Sequence, residues 1–252
     1  MKIQFCSDLH LEFKENKQLL NTCPIKPIGD ILILAGDIIL FRDLDKHNDF
    51  FTYVSDNFKT TYWIPGNHEY YHFDIATKSG VLNEKIKSNV FLVNNISISI
   101  EDINLIFSTL WTNISPAYEW QITRNMNDFQ VIKYGSNRFS TLYYNKLHKD
   151  CIEFLTEEIK NNKSQKTIIT THHVPTFLNY PKEFKGSILN EGFATELFDF
   201  IESSNVDYWI YGHHHSNIPT FNIGKTKMTT NQLGYVSYGE HKSFGFDRVI
   251  EL

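Results

Sequence analysis

The chain has 252 residues, 41% hydrophobic and 21% charged, a composition ordinary for a soluble globular protein with a substantial core. Its formal charge of −5 disfavours non-specific attraction to nucleic acid, and no apolar stretch approaches membrane-spanning length. Three cysteines, Cys6, Cys23 and Cys151, odd in number and far apart, fit neither a disulfide framework nor a zinc knuckle.

Met1-Lys2-Ile3-Gln4-Phe5 enters a strand at once and lacks the long apolar region of a signal peptide, so a cytoplasmic enzyme is expected. The first strand, Ile3–Ser7, delivers Asp8-Leu9-His10. Two residues apart just past a strand, Asp8 and His10 can point the same way and share one ion. After a loop at Leu11–Ile28 comes the most hydrophobic strand, Ile31–Gly36, ending on Asp37. A carboxylate there is costly unless paired or metal-bound, with a helix cap as the alternative role; Gly36 permits the tight exit. A helical pattern over Leu44–Phe58 leads to the strand Thr60–Ile64, the breaker Pro65, and Gly66-Asn67-His68-Glu69. The Asn67 side-chain oxygen can serve a hard cation without adding charge, which frees His68 to act on a substrate. A helical stretch from Phe73 to Ser88 and the strand Val90–Asn94 continue the alternation, which argues an α/β core with neighbouring parallel strands. Ile96–Ile100 and Leu105–Leu110, joined by Glu101-Asp102, read as an antiparallel pair.

The segment Trp111–Tyr143 breaks the pattern with Pro116, Arg124, Arg138, several asparagines and a helical patch around Ala117–Thr123. It reads as an insertion leaning over an active site within one domain spanning 1–252. A long helix, Ser140–Asn161, precedes the strand Thr167–Thr171, which ends on His172 and His173 before Pro175; one of the pair is expected to be a ligand and the other a bystander. The loop Phe177–Gly192, a helix Phe193–Ser203 and the strand Tyr208–Tyr211 lead to Gly212-His213-His214-His215. His213 and His215 share a face there, and His214 points the other way. Four further strands are expected at Pro219–Ile223, Lys227–Thr230, Gly234–Ser237 and Arg248–Leu252.

Carboxylate, imidazole and carboxamide groups delivered to one sheet edge point to a metal site. Donors of nitrogen and oxygen without thiolate suit Mn²⁺, Fe or Zn²⁺. His68-Glu69-Tyr70-Tyr71-His72 also satisfies the His-Glu-x-x-His pattern of zinc proteases, but that chemistry needs both histidines one turn apart inside a helix. Pro65 and Gly66 put His68 at a strand exit, and a protease would leave Asp8, His10, Asp37, His172, His213 and His215 without a role.

The ordered set Asp-x-His, Gly-Asp, Gly-Asn-His-Glu, His, Gly-His-x-His, running from Asp8 to His215, closely resembles the calcineurin-like metallophosphoesterase superfamily. The resemblance implies a four-layer αββα sandwich, two mixed β-sheets face to face with helices outside. It also implies two divalent transition-metal ions bridged by one carboxylate and a hydroxide that attacks phosphorus in line. By that match Asp8, His10, Asp37 and His215 hold one ion, Asp37, Asn67, His172 and His213 hold the other, and His68 is the catalytic histidine. Glu69 is expected to orient an imidazole or to make a structural hydrogen bond. Substrate is left to the loops. Arg124, Lys133 and Arg138 are candidates to meet phosphate or leaving group, and Trp111 and Tyr118 to stack on a base. The expected activity is hydrolysis of a small phosphodiester or nucleotide. The alternatives are a phosphomonoesterase or protein phosphatase of the same fold, or a non-catalytic scaffold, which the presence of His68 argues against.

Overall fold

Five consecutive apolar residues, Ile31–Ala35, are all buried, the mark of a strand covered on both faces. The computed structural model describes residues 1–251. Its elements in chain order are β1 (Lys2–Cys6), α1 (Lys14–Thr22), β2 (Ile31–Ala35), α2 (Asn48–Asn57), β3 (Thr60–Ile64), β4 (Leu82–Lys87), β5 (Val90–Asn94), β6 (Ile96–Ile100) and β7 (Ile103–Ser108). Then follow α3 (Glu119–Asn125), α4 (Asp128–Val131), β8 (Lys133–Tyr134), β9 (Asn137–Arg138), α5 (Thr141–Asn161), β10 (Lys166–Thr171), α6 (Phe198–Ser203), β11 (Tyr208–Tyr211), β12 (Phe221–Ile223), β13 (Thr226–Thr230) and β14 (Val249–Glu251).

Two mixed six-stranded sheets flanked by helices form the expected α/β sandwich. In the first, of order β14-β1-β2-β3-β5-β4, the inner four strands are parallel and the two edges antiparallel. The second, β12-β13-β11-β10-β7-β6, repeats that arrangement. Alternate residues fill the space between the sheets: Phe5, Ile33 and Tyr62 from one meet Phe107, Ile168 and Ile210 from the other, with the rings of Tyr62 and Phe107 5.2 Å apart. The opposite faces carry Leu34 and Trp63 toward Phe51 and Val54 of α2, and Ile169 and Trp209 share that cluster with Leu147 and Leu155 of α5.

All parallel strands of a sheet end at the same edge, where open α/β sheets bind ligands. The exits of β1, β2, β3, β10 and β11 are therefore neighbours, and they carry the motif residues. Cross-links hold the two edges together. Ser7 bridges Gln232, Thr109 Oγ1 donates to Pro65 O (2.8 Å), and Asn231 Nδ2 donates to Phe5 O (3.0 Å).

Several expected elements differ. Phe73–Ser88 is not a helix: one 3-10 turn at Ile75–Thr77 gives way at Gly80 (φ +73°) to β4, a charged edge strand paired with β5. Edge pairing and the glycine outweigh the helical propensity of Glu84 and Lys85. The loop Leu11–Ile28 contains α1. Gly234–Ser237 forms no strand, because left-handed Gly234 (φ +67°) and Gly239 (φ +76°) bracket a 3-10 turn at Val236–Tyr238. The expected helix Phe193–Ser203 begins only at Phe198, and Leu252 lies outside the described residues.

Candidate metal centre

Asp8, His10, Asp37, His213 and His215 all have left-handed backbone, with φ of 55°, 46°, 54°, 80° and 53°. Such conformations cost about 1–3 kcal/mol each in non-glycine residues and survive only where surroundings impose them. Here the loops after β1 and β2 are zipped together by Asp8 N–H to Gly36 O (2.9 Å), His10 N–H to Asp37 O (3.0 Å) and Leu11 N–H to Ile38 O (2.9 Å). Glu69, fully buried, accepts from Asp37 N–H (2.9 Å), Ile38 N–H (2.7 Å), Gly66 N–H (2.6 Å) and the Trp63 indole (3.1 Å). Its structural role is therefore to pin the two turns; it touches no imidazole.

The side chains converge in two groups that share Asp37. Asp8, His10, Asp37 and His215 present donor atoms within 4.8 Å of one another, and so do Asp37, His172 and His213. Asn67 joins the second group, its Oδ1 3.3 Å from His172 Nε2. Its Nδ2 donates to Asp128 Oδ1 (2.9 Å), which turns the carbonyl oxygen toward the cluster.

The imidazole tautomers follow from the outer partners. Nδ1 of His172 faces the Ala35 carbonyl (3.0 Å), an acceptor only, so Nδ1 carries the proton and Nε2 offers a lone pair. Glu12 does the same for His10 (3.1 Å) and Glu240 for His215 (2.8 Å). The Nε2 atoms of His10 and His215 then lie 3.0 Å apart, as do His172 Nε2 and His213 Nδ1. The lone pairs of His10 and His215, aimed at each other over that distance, repel unless a proton or cation lies against them. His213 Nε2 is buried without a partner.

Charge points the same way. The ion-pair partners of Asp8, Glu12, Asp37 and Glu240 are all histidines, never lysine or arginine. Burial opposes a charged His172, yet Asp37 and Asp8 push its pKa up to about 9, and the carboxylates of Asp8 and Glu240 push His215 up to about 10. Burial raises Glu12, but His10 and His68 hold it down at about 2. Without lysine or arginine partners the carboxylates draw protons onto these histidines, and bound cations would take the place of those protons. Hard oxygen and imidazole donors, tautomers fixed outward and glycines at close approach suit divalent cations. A Cβ on Gly36 would lie 2.3 Å from His172 Nδ1, and one on Gly66 2.2 Å from Asp37 Oδ1.

His68 stands beside both groups. Its N–H donates to Asp37 Oδ1 (2.9 Å), its ring stacks on Tyr71 at 4.1 Å, and Nδ1 meets Glu12 Oε1 at 3.0 Å. Nε2 lies 3.4 Å from the Tyr235 hydroxyl. Asp37 and Glu12 raise its pKa above the ordinary histidine value although burial opposes them. His68 begins a 3-10 turn, His68–Tyr70, and His72 is exposed, so the helical zinc-protease arrangement is absent. His173 instead packs on Trp111 (5.1 Å), and His214 accepts from Gln232 Nε2 (2.9 Å); neither belongs to the donor groups.

The cleft over these groups has a volume of about 380 Å³. Trp111 does not line it: at 2% exposure it packs against Tyr70, Phe139 and Tyr144 in the core. Arg124 is exposed and lies over the Trp120 ring (5.1 Å), Arg138 is exposed in β9, and neither faces the cleft; Lys133 and Tyr118 are outside it too. Sequence reasoning missed Glu12, Tyr235, Glu240 and Asp128. The i, i+2, i+4 series Asp8, His10, Glu12 was a usable signal for the first; nothing local marks the others.

Residues 1–217 match the calcineurin-like phosphoesterase family. An uncharacterized protein, L509, of Acanthamoeba polyphaga mimivirus is 32% identical over 259 residues, 92% of this chain and 91% of the relative. A phosphopantetheinyl hydrolase from Mycobacterium tuberculosis has a similar structure, with a TM-score of 0.75 at 16% identity over 99% of this chain and 95% of that one. A dimetal phosphatase from Danio rerio superposes with a TM-score of 0.52 at 14% identity over 92% of this chain and 87% of that one. With the family match spanning most of its length, this chain belongs to the calcineurin-like phosphoesterases and is a metal-dependent phosphoesterase.

Proposed function

We propose that the chain is a single-domain dinuclear enzyme that hydrolyses a small phosphodiester. The observation that supports this most is the pair of donor groups meeting at Asp37, with the Nε2 lone pairs of His10 and His215 turned toward one another. Asp8, His10, Asp37 and His215 would hold one divalent ion, and Asp37, Asn67, His172 and His213 the other, as Mn²⁺, Fe or Zn²⁺. Bound there, two such ions would supply a water of lowered pKa and neutralise charge on the phosphoryl oxygens.

The chain's own groups do the rest. Asp37 sits between the two groups and balances positive charge on both sides. His68 holds a proton at Nε2 next to the Tyr235 hydroxyl, where it can be given to a departing alkoxide. Glu12 fixes the His68 ring from behind, and Tyr71 stacks on its face. The nucleotide variant of this reading loses its support, since Arg124, Arg138 and Trp111 do not line the cleft.

Metal analysis together with turnover tests the proposal. Purified protein loaded with Mn²⁺ should carry about two ions per chain and hydrolyse p-nitrophenyl phosphate or its bis-ester. Asp37→Asn should lose more than one ion's worth of binding. A chain that binds two ions and turns over neither ester with any divalent metal would be a scaffold, and a single ion unaffected by Asp37→Asn would overturn the dinuclear assignment.

A further inference from the structure

The cleft beyond the donor groups has walls of its own. One is the connection between α3 and α4, contributing Asn125, Met126 and Asn127; the other is the loop before α6, contributing Tyr180, Phe184, Leu189, Asn190 and Phe193. Among the described residues no lysine or arginine lines it. Apart from Asp37, the carboxylate on its lining is Glu240, already engaged with His215.

The polar groups on these walls have a definite sense. Asn125 donates a side-chain N–H to Gln121 O (2.7 Å), and Asn190 donates one to Phe184 O (2.9 Å). Each keeps its carbonyl oxygen and its second side-chain N–H free. Such neutral amides suit an amide or a hydroxyl partner and bring no charge to neutralise an anion. Aromatic and aliphatic surface from Met126, Phe184, Leu189 and Phe193 fills the space between them. A second phosphate placed here would be desolvated among neutral amides and apolar carbon with no cation to meet it.

We infer that the site selects a phosphoester with one phosphate at the metal centre and an uncharged leaving group that is part apolar and carries amide or hydroxyl groups. This rests on the proposed phosphoesterase reading and narrows it. The volume of about 380 Å³ falls within the range of small-molecule sites, about 300–1,000 Å³, and fits such a group together with its phosphate.

Three substrates assayed with the Mn²⁺-loaded full chain separate the possibilities: bis(p-nitrophenyl) phosphate, the methyl phosphodiester of an N-acylethanolamine with a short alkyl chain, and the same diester with a second phosphate at the far end of that chain. The neutral-chain ester is expected to exceed the bis-phosphate in kcat/KM by at least about tenfold, the scale at which an unpaired group in a site is rejected. Asn190→Arg should narrow that ratio several-fold by giving the distal phosphate a partner. Equal or better turnover of the bis-phosphate, or a ratio unmoved in Asn190→Arg, would overturn the inference. No turnover of any of the three, bis(p-nitrophenyl) phosphate included, would instead overturn the phosphodiesterase reading on which it stands.

Discussion

Replacing Glu12 by alanine removes the carboxylate that meets the imidazoles of both a candidate metal ligand and the candidate proton donor. Its Oε1 lies 3.1 Å from His10 Nδ1 and 3.0 Å from His68 Nδ1, and its Oε2 is buried without a partner. The same atom therefore fixes the tautomer of His10 and the ring orientation of His68. Carboxylates behind metal-bound histidines are worth about 10–100-fold in metal affinity or activity, about 1.4–2.7 kcal/mol. Because Glu12 serves two rings, both quantities should move. Mn²⁺ binding measured by titration calorimetry should weaken about 10–100-fold, and kcat on an alkyl phosphate at saturating metal should fall by a similar factor. Glu12→Gln keeps an acceptor oxygen in the same place and should recover part of each loss. A thermal melt of each variant separates these effects from unfolding. Unchanged affinity and unchanged kcat in a folded Glu12→Ala chain would refute the bridging role.

His68→Ala should keep both metal ions while kcat falls about 10²–10⁴-fold, most for alkoxide leaving groups and least for nitrophenolate; loss of metal in the variant would show that His68 is a ligand instead. Gly66→Ala places a Cβ 2.2 Å from Asp37 Oδ1 and 2.6 Å from His172 Nε2, so it should destabilise by about 1–3 kcal/mol and weaken metal binding, and wild-type values for both would mean the turn is free to move. In metal-stripped protein, burial holds His214 down at about 4 and His173 at about 3. The unfolded chain takes up those protons first, so the stability they contribute is present above the ordinary histidine pKa of about 6.5 and is lost as pH falls toward 4, by up to about 1.4 kcal/mol per pH unit for each. His172 and His215, raised to about 9 and about 10, contribute stability that is present below about 6.5 and lost as pH rises through those values. Urea melts should therefore show a maximum between the two limbs and a shallower acid limb in His214→Gln; an acid limb that is flat from pH 6.5 to 4.5 would contradict the burial argument.

What could be read from the sequence was what is local in the chain. An apolar run of strand length followed at once by Asp8-Leu9-His10, Gly36-Asp37, Gly66-Asn67-His68 or Gly212-His213-His214-His215 shows both that a strand ends and which donors it delivers. Parallel pairing then places those ends on one edge, so the α/β class and the donor set followed from short segments. Elements whose form depends on a partner did not follow. Leu82–Lys87 has helix-favouring residues and becomes a strand because β5 offers an unpaired edge. The choice between His172 and His173 was open from sequence; the His172 ring reaches the Ala35 carbonyl in the other sheet, whereas His173 packs on Trp111. The groups that orient the site were equally hidden, since Tyr235 meets His68 across 167 positions and Asn67 is turned by Asp128 across 61. The walls of the cleft belong to this second kind. Arg124 and Asn125 are adjacent, and only the direction each side chain takes from α3 puts the amide on the cleft and the cation on Trp120. Ligand identity is a property of a few neighbouring residues, whereas the surroundings of a ligand depend on which distant segments pack against it, and that is settled only when the whole core forms.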